Sequence, residues 1–357
     1  MIRLLVVEDS KTVQKVLVAA FNADPEIQVV GTAESGEEAV SAARSLRPDI
    51  ITMDINLTGM DGFEATRAIM SSCPVPIVIV TGKMDPRDSA TLFRVMEAGA
   101  LMVLAKPAPV GTPEHAESVA RLVHHIKLMS EIKVVRRSLP GASRRGPGSP
   151  FALPLPEPAA PIKVVAIGAS TGGPPLLQQI LSALPADFGA AVLVVQHMAD
   201  GFTENFVHWL NQSSRLPVRL AENGMRISPG QVFVAPDGCH LELGPGDRIV
   251  LSFAAPENGL RPSVSALFRS VALCCGRQGA GVLLTGMGRD GAQELKTIRD
   301  RGGITIAQDR ESSVVFGMPA EAIRINAALY ILPPEGIIEL LIRLVHARQS
   351  RALAPTA

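Results

Sequence analysis

Five polar side chains stand at the ends of short apolar runs in the first third of the sequence. Glu8 and Asp9 end the first run, Asp54 the third, Thr81 the fourth and Lys106 the fifth. If these runs are parallel strands, their carboxyl ends meet at one edge of a sheet and the side chains converge there. Clustered carboxylates repel one another and favour a bound divalent cation, and oxygen ligands select Mg²⁺. A metal-bound carboxylate beside a lysine is suited to attack a phosphoryl group. The alternative is that each residue only caps a neighbouring helix or turn.

A serine, a histidine and an aspartate follow strand-like runs in the second half of the sequence. Ser170 lies in the turn 168–174, whose glycines permit a sharp strand-to-helix turn that exposes a hydroxyl. His197 follows the run Val192–Gln196, and Asp290 follows another apolar run. On one rim they would supply a nucleophile, a base and an orienting carboxylate. Taken singly, a helix-capping serine, a core histidine and an N-cap aspartate remain alternatives. The order Ser, His, Asp differs from that of α/β-hydrolases and indicates a separate fold.

The elements that must position these residues alternate between strand and helix patterns. In the first part, β-branched runs alternate with helical spacings such as Val13, Val16, Leu17 and Ala20. This rhythm predicts an α/β fold with a five-stranded parallel sheet covered on both faces. The second part repeats the rhythm and predicts a doubly wound α/β domain. Its interruption at His240–Leu243 and Arg248–Leu251, around a Gly-Pro-Gly-Asp turn, predicts a β-hairpin insertion.

A proline-rich segment separates the two parts. Between Ser138 and Pro161 lie seven prolines, which deny the backbone donors that helices and central strands need. We therefore expect four segments: a first domain at 1–127, a linker at 128–161, a second domain at 162–348 and a tail at 349–357.

Composition narrows the class of protein. The chain has 357 residues, with 34 Lys and Arg against 34 Asp and Glu, and 47% of its residues are hydrophobic. This argues for globular domains, and the zero net charge argues against broad attraction to nucleic acid or anionic membranes. The longest apolar runs are far shorter than the ~20 residues that span a bilayer. No secretory leader is visible, and the four cysteines lack zinc-type or disulfide spacing, so a cytoplasmic location is expected.

The first 127 residues resemble the receiver domain of bacterial two-component response regulators, which has a flavodoxin-like fold. The resemblance implies a phosphorylated aspartate, a Mg²⁺ site, and two residues that sense and neutralise the phosphoryl group. Asp54 would be the phosphorylated residue, and Thr81 and Lys106 would form the switch. Mg²⁺ would be bound by Glu8, Asp9, Asp54 and the Asn56 carbonyl. The sequence departs from the family at Thr58, where proline is frequent, and at Val103, where an aromatic residue is usual.

The second domain resembles the chemotaxis protein-glutamate methylesterase family (CheB). The resemblance rests on AIGASTGGP, QHM, RPSV, LTGMGRDGA, IAQD and VVFGMP, at 166–174, 196–198, 261–264, 284–292, 306–309 and 314–319. It implies Ser170 as nucleophile, His197 as base and Asp290 as its partner. It further implies that Thr171 and the Met287 amide lie near the oxyanion.

The two resemblances together imply an enzyme of chemotaxis adaptation. It would hydrolyse glutamate methyl esters on methylated chemoreceptors, release methanol, and deamidate receptor glutamines, without a cofactor for the esterase. A histidine kinase of the CheA type would phosphorylate Asp54 and so relieve obstruction of the catalytic rim by the receiver. One rival is a phospho-regulated adaptor that binds a partner without catalysis. Another, a dinucleotide-dependent oxidoreductase, lacks the required glycine spacing.

Overall fold

The chain forms two compact units in a computed structural model, Met1–Gly146 and Pro147–Ala357. The structure describes residues 1–82, 96, 98–132, 134, 161–198 and 201–346. Most of the expected linker at 128–161 and the whole expected tail at 349–357 lie outside these residues.

The first unit is built on a five-stranded sheet in the order β2-β1-β3-β4-β5, and every pair in it is parallel. This confirms the expected receiver-like architecture. Its strands are β1 (Ile2–Val7), β2 (Ile27–Ala33), β3 (Ile50–Met53), β4 (Ile77–Thr81) and β5 (Met102–Ala105); its described helices are α1 (Lys11–Asn22), α2 (Gly36–Leu46), α3 (Gly62–Ser72) and α4 (His115–Ser130).

Burial explains why strands β3 and β4 of this sheet are apolar apart from Thr52 and Thr81. All residues of β3 and nearly all side chains of β4 are inaccessible to solvent, as expected for a parallel sheet covered on both faces. Helix α4 extends beyond residue 127, where the linker was expected to begin. Its buried Ile126 and Met129 continue the apolar spacing of the helix, so the first residues of the expected linker are helical.

The second unit holds a seven-stranded parallel sheet in the order β14-β13-β12-β6-β7-β9-β8. This confirms the doubly wound domain. Its strands are β6 (Val164–Ala169), β7 (Ala191–Gln196), β8 (Val218–Leu220), β9 (Val232–Val234), β12 (Gly279–Leu283), β13 (Ile304–Gln308) and β14 (Tyr330–Leu332); its helices are α5 (Gly173–Ala183), α6 (Thr203–Ser213), α7 (Val264–Cys275), α8 (Ala292–Asp300), α9 (Met318–Arg324) and α10 (Pro334–His346).

The predicted hairpin insertion is present. Strands β10 (His240–Gly244) and β11 (Arg248–Ser252) pair antiparallel around a turn in which Gly246 and Asp247 adopt positive φ. Leu241, Leu243 and Ile249 are buried in the same core as helix α7, which fixes the hairpin against the domain. Among the described residues, no helix has both the length and the apolar character needed to cross a membrane.

Candidate active site and phosphoacceptor site

The three carboxylates of the first unit lie together at the carboxyl edge of the sheet, as predicted. Glu8 and Asp54 are almost completely buried, Asp9 is half-buried, and oxygen atoms of all three lie within 4.8 Å of one another. Glu8 Oε2 is buried, and its close partner among the described residues is the ammonium of Lys106. Three clustered carboxylates form an all-oxygen donor set, which fits a hard divalent cation.

Lys106 holds this cluster together electrostatically. Its Nζ lies 2.7 Å from Glu8 Oε2 and 2.7 Å from Asp54 Oδ2. Burial raises the pKa of Glu8, and the nearby Asp54 charge raises it further against the opposing effect of Lys106. Burial tends to lower the pKa of Lys106, but its bonds to Asp54 and Glu8 outweigh burial and raise it. The lysine is therefore cationic beside Asp54.

The other expected receiver residues surround Asp54. Thr81 is buried at the end of β4, and its carbonyl accepts the Lys106 backbone N–H at 2.7 Å. Asp54 Oδ1 accepts the N–H of Ile55 at 2.7 Å, which leaves Oδ2 to face the lysine. Asn56 is exposed two residues after Asp54. The structure thus brings together Asp54, Thr81 and Lys106.

Ser170 lies on a sharp turn that two glycines make possible. It follows β6 directly, and Gly172, the N-cap of α5, has a φ of 79°. A Cβ on Gly172 would also lie 2.6 Å from Val314 Cβ, so a side chain there is excluded by both strain and contact. The Ser170 N–H donates to the Thr285 carbonyl at 3.0 Å, and the Ser170 side chain remains partly accessible.

His197 stands next to Ser170 across the sheet. Strands β6 and β7 pair Ala169 with Gln196, and one step further this register brings Ser170 opposite His197. The His197 N–H donates to the Ala169 carbonyl at 2.9 Å. Because neighbouring strands lie about 4.8 Å apart, the backbones of Ser170 and His197 are adjacent.

Asp290 is buried and bonded to the imidazole. Its Oδ2 lies 3.1 Å from His197 Nε2 and also accepts the Val264 N–H at 2.6 Å. Its Oδ1 accepts the Ser263 hydroxyl at 2.7 Å, the Asn258 amide at 3.2 Å and the Ser265 N–H at 3.3 Å. The carboxylate therefore accepts hydrogen bonds from the N-cap and the first turn of α7.

This arrangement answers the alternative that Asp290 only caps its own helix. The N-cap of α8 is Gly291 and has no side-chain bond. Asp290 is instead 1% exposed, and burial tends to raise its pKa. The hydrogen bond and charge of His197, followed by the bonds from Ser263 and Ser265, overcome burial and hold the pKa of Asp290 well below its ordinary value. The carboxylate is consequently ionised beside the imidazole.

The contact between His197 and Asp290 also fixes the tautomer of the imidazole. A proton on Nε2 donates to the carboxylate, so Nδ1 carries the free lone pair in the neutral ring. Within the described ranges, no hydrogen bond joins the Ser170 hydroxyl to His197. The structure thus places His197 and Asp290 in direct contact and Ser170 at the adjacent backbone position.

Thr171 and Met287 lie on the two loops that border Ser170. Thr171 is buried, and its carbonyl accepts the Thr285 hydroxyl at 2.9 Å. Met287 is 37% exposed and follows Gly286, where an added Cβ would lie 2.7 Å from Ser170 Cβ. Neither the Thr171 nor the Met287 N–H has an acceptor among the described residues.

Sequence reasoning assigned no role to the residues that hold Asp290. Ser263 lies within the RPSV motif and precedes a helical apolar run, which is the signal of an N-cap. That signal predicts the helix start but not the carboxylate that the serine contacts. Asn258 lies on a loop, and nothing in its local sequence indicates its contact with Asp290.

Comparison with known proteins gives the same division of the chain. A CheB methylesterase family model matches residues 165–341, and a response regulator receiver domain model matches residues 4–113. The chain resembles the crystal structure of the Thermotoga maritima CheB methylesterase catalytic domain, with 40% sequence identity and a TM-score of 0.50. That match covers 52% of this chain and 100% of the other.

Two full-length relatives have the same name. The protein-glutamate methylesterase/protein-glutamine glutaminase of Nitrosospira multiformis is 50% identical over 352 residues, covering 98% of each chain. Protein-glutamate methylesterase/protein-glutamine glutaminase 4 of Geobacter metallireducens is 51% identical over 343 residues, covering 96% of this chain and 98% of the relative. With this identity along nearly its whole length, the chain belongs to the protein-glutamate methylesterase/protein-glutamine glutaminase family, with a receiver domain before a CheB methylesterase domain.

Proposed function

We propose that this protein is a phosphorylation-regulated serine esterase that hydrolyses glutamate methyl esters on chemoreceptors and converts specific receptor glutamines to glutamate. The observation that carries the proposal is the buried Asp290–His197 pair beside Ser170 on its glycine-rich turn. Family membership supports the same reaction class.

The proposed reaction begins with His197. Its Nδ1 accepts the proton of the Ser170 hydroxyl as Oγ attacks the ester carbonyl carbon, because Nε2 is engaged with Asp290. Asp290 stabilises the imidazolium, and the Thr171 and Met287 amides donate to the oxyanion. One such donor is typically worth about 3 kcal/mol.

Collapse of the tetrahedral intermediate completes acylation. His197 returns the proton to the methoxide oxygen, and methanol leaves an acyl-Ser170 intermediate. Water, deprotonated by His197, then attacks this ester and restores Ser170 and a free glutamate. A glutamine side chain follows the same steps with loss of ammonia, which depends more strongly on proton donation by the imidazolium.

The receiver supplies the regulatory input in this proposal. Asp54 is the phosphoacceptor, Lys106 neutralises charge on the transferring oxygens, and Thr81 senses the phosphoryl group. Mg²⁺ fits Glu8, Asp9 and Asp54, together with the Asn56 carbonyl, and would neutralise negative charge at the carboxylates. A CheA-type histidine kinase is the proposed phosphodonor. Phosphorylation would relieve inhibition of the esterase even though Val103 replaces the usual aromatic residue and Thr58 the frequent proline.

We place the protein in the cytoplasm. All four of its cysteines are free thiols, which suits a reducing compartment.

Methanol release tests the proposed activity. Full-length wild type and Ser170→Ala are incubated with methylated receptor membranes, Mg²⁺ and a small-molecule phosphodonor. The proposal predicts release by wild type and none above background by the variant. Equal release by both proteins contradicts the assigned nucleophile, and absence of release by either favours the adaptor.

A further inference from the structure

A single side-chain amide joins the backbones of the proposed nucleophile and base. Gln196, the last residue of β7, donates from Nε2 to the Ser170 carbonyl at 2.9 Å and to the His197 carbonyl at 2.7 Å. Its side chain is 5% exposed, so water does not compete strongly for these two acceptors. The two carbonyls also fix the orientation of the amide, because only the NH₂ group can donate to them.

We propose that Gln196 is a positioning residue for the esterase reaction and sets the separation of Ser170 from His197. This inference rests on the proposed function, in which those two residues exchange a proton. The strand ladder joins β6 to β7 only as far as Ala169 and Gln196, together with the bond from the His197 N–H. Beyond that point, among the described residues, the Gln196 side chain bonds the backbones of both Ser170 and His197.

Gly173 provides the space for this amide. A Cβ on Gly173 would lie 2.1 Å from Gln196 Oε1 and 2.8 Å from Ala169 Cβ. The Gly173 N–H also donates to the Ser170 carbonyl at 2.8 Å, so this carbonyl accepts two bonds that restrain the turn. A residue larger than glycine would displace the amide without changing its chemistry.

The bonding of the Gln196 amide is unequal at its two ends. Nε2 makes two hydrogen bonds, whereas Oε1 is buried and has no partner within the described residues. A buried acceptor without a donor is unfavourable for folding. An apolar side chain of similar length removes this unpaired acceptor but also removes the donor of the His197 carbonyl, so the two effects on stability oppose each other while both carbonyls are released.

The test compares Gln196→Met, Gly173→Ala and the control Gln179→Met in the full chain. Gln179 is an exposed glutamine of the same domain and lies on α5. Methanol release gives kcat and KM on methylated receptor membranes, and a fluorophosphonate reports the nucleophilicity of Ser170 without the receptor. Thermal unfolding reports stability.

We expect kcat and the fluorophosphonate rate to fall about 10- to 100-fold in both Gln196→Met and Gly173→Ala, as small misplacements of reacting groups do. KM should stay within about twofold, both site variants should remain folded at the assay temperature, and Gln179→Met should match wild type. A kcat equal to wild type in either folded site variant overturns the inference. A wild-type chain that reacts with the fluorophosphonate but releases no methanol contradicts the proposed substrate instead, and the fluorophosphonate rates still decide the role of Gln196.

Discussion

Removal of the Ser263 hydroxyl is expected to weaken the hydrogen bonding of Asp290, the carboxylate partner of the imidazole, without changing Ser170 or His197. The hydroxyl donates to Asp290 Oδ1 at 2.7 Å, and Ser263 is completely buried. In Ser263→Ala, Oδ1 keeps the Asn258 amide and the Ser265 N–H, which are longer contacts at 3.2 and 3.3 Å. The pKa of Asp290 should therefore rise but remain acidic, and the carboxylate should be held less firmly in line with the imidazole of His197.

The size of the effect follows from the charge on the acceptor. A hydrogen bond to a charged group contributes about 1.5–3 kcal/mol, and each 1.4 kcal/mol lost from the transition state lowers the rate about tenfold. If half of the bond energy serves to keep the carboxylate aligned with the imidazole in the transition state, kcat falls about 4- to 12-fold. Loss of the N-cap bond to Ser265 N–H adds about 1 kcal/mol of destabilisation.

The dependence of stability on pH separates this mechanism from loss of a cap alone. A depressed carboxylate pKa contributes stability that is present above the unfolded value, about 3.9, and is lost as pH falls through the folded value. The difference in unfolding free energy between wild type and Ser263→Ala should therefore be constant near neutral pH and shrink as pH falls through the raised folded pKa of Asp290 in the variant, which lies below about 3.9. Ser182→Ala is the control, because among the described residues its hydroxyl bonds only within α5. An unchanged kcat, together with a difference that stays constant to the lowest pH at which both proteins fold, would contradict this role of Ser263.

Three further changes have defined outcomes. Asp54→Asn should keep the basal rate of methanol release but lose its stimulation by a phosphodonor; stimulation equal to wild type would argue against Asp54 as acceptor. Chelation of Mg²⁺ by EDTA should likewise abolish phosphorylation of Asp54, which mass spectrometry measures. Basal ester hydrolysis should continue, because the proposed cation ligands all belong to the receiver. Gly172→Ala should lower the unfolding free energy by more than about 1 kcal/mol, because φ is 79° and Val314 blocks the Cβ; denaturation equal to wild type would contradict this.

The sequence predicts the positions of residues at strand ends well. Asp54, Lys106, Ser170 and His197 each follow a short, predominantly apolar run, and the parallel sheets bring each set to one edge. Such runs are sufficient to locate these strands because β3, β6 and β7 are buried on both faces, although β5 is only partly buried.

Other parts of the structure depend on contacts that local sequence does not encode. The strand Tyr330–Leu332 is too short for a clear pattern and is defined by its pairing with β13. The bonds of Asp290 to Ser263 and Asn258 join residues that are 27 and 32 positions away. Gln196 precedes His197 in the sequence, but its side-chain amide lies close to Ser170 because β6 pairs with β7.

Covalent labelling identifies the nucleophile and shows whether His197 activates it. Full-length wild type and His197→Gln are treated with a fluorophosphonate, and the modified peptide is identified by mass spectrometry. We expect modification of Ser170 in wild type and a rate lower by at least about 100-fold in His197→Gln, the typical contribution of a general base. Modification of a different residue, or equal labelling of Ser170 in both proteins, would contradict this expectation.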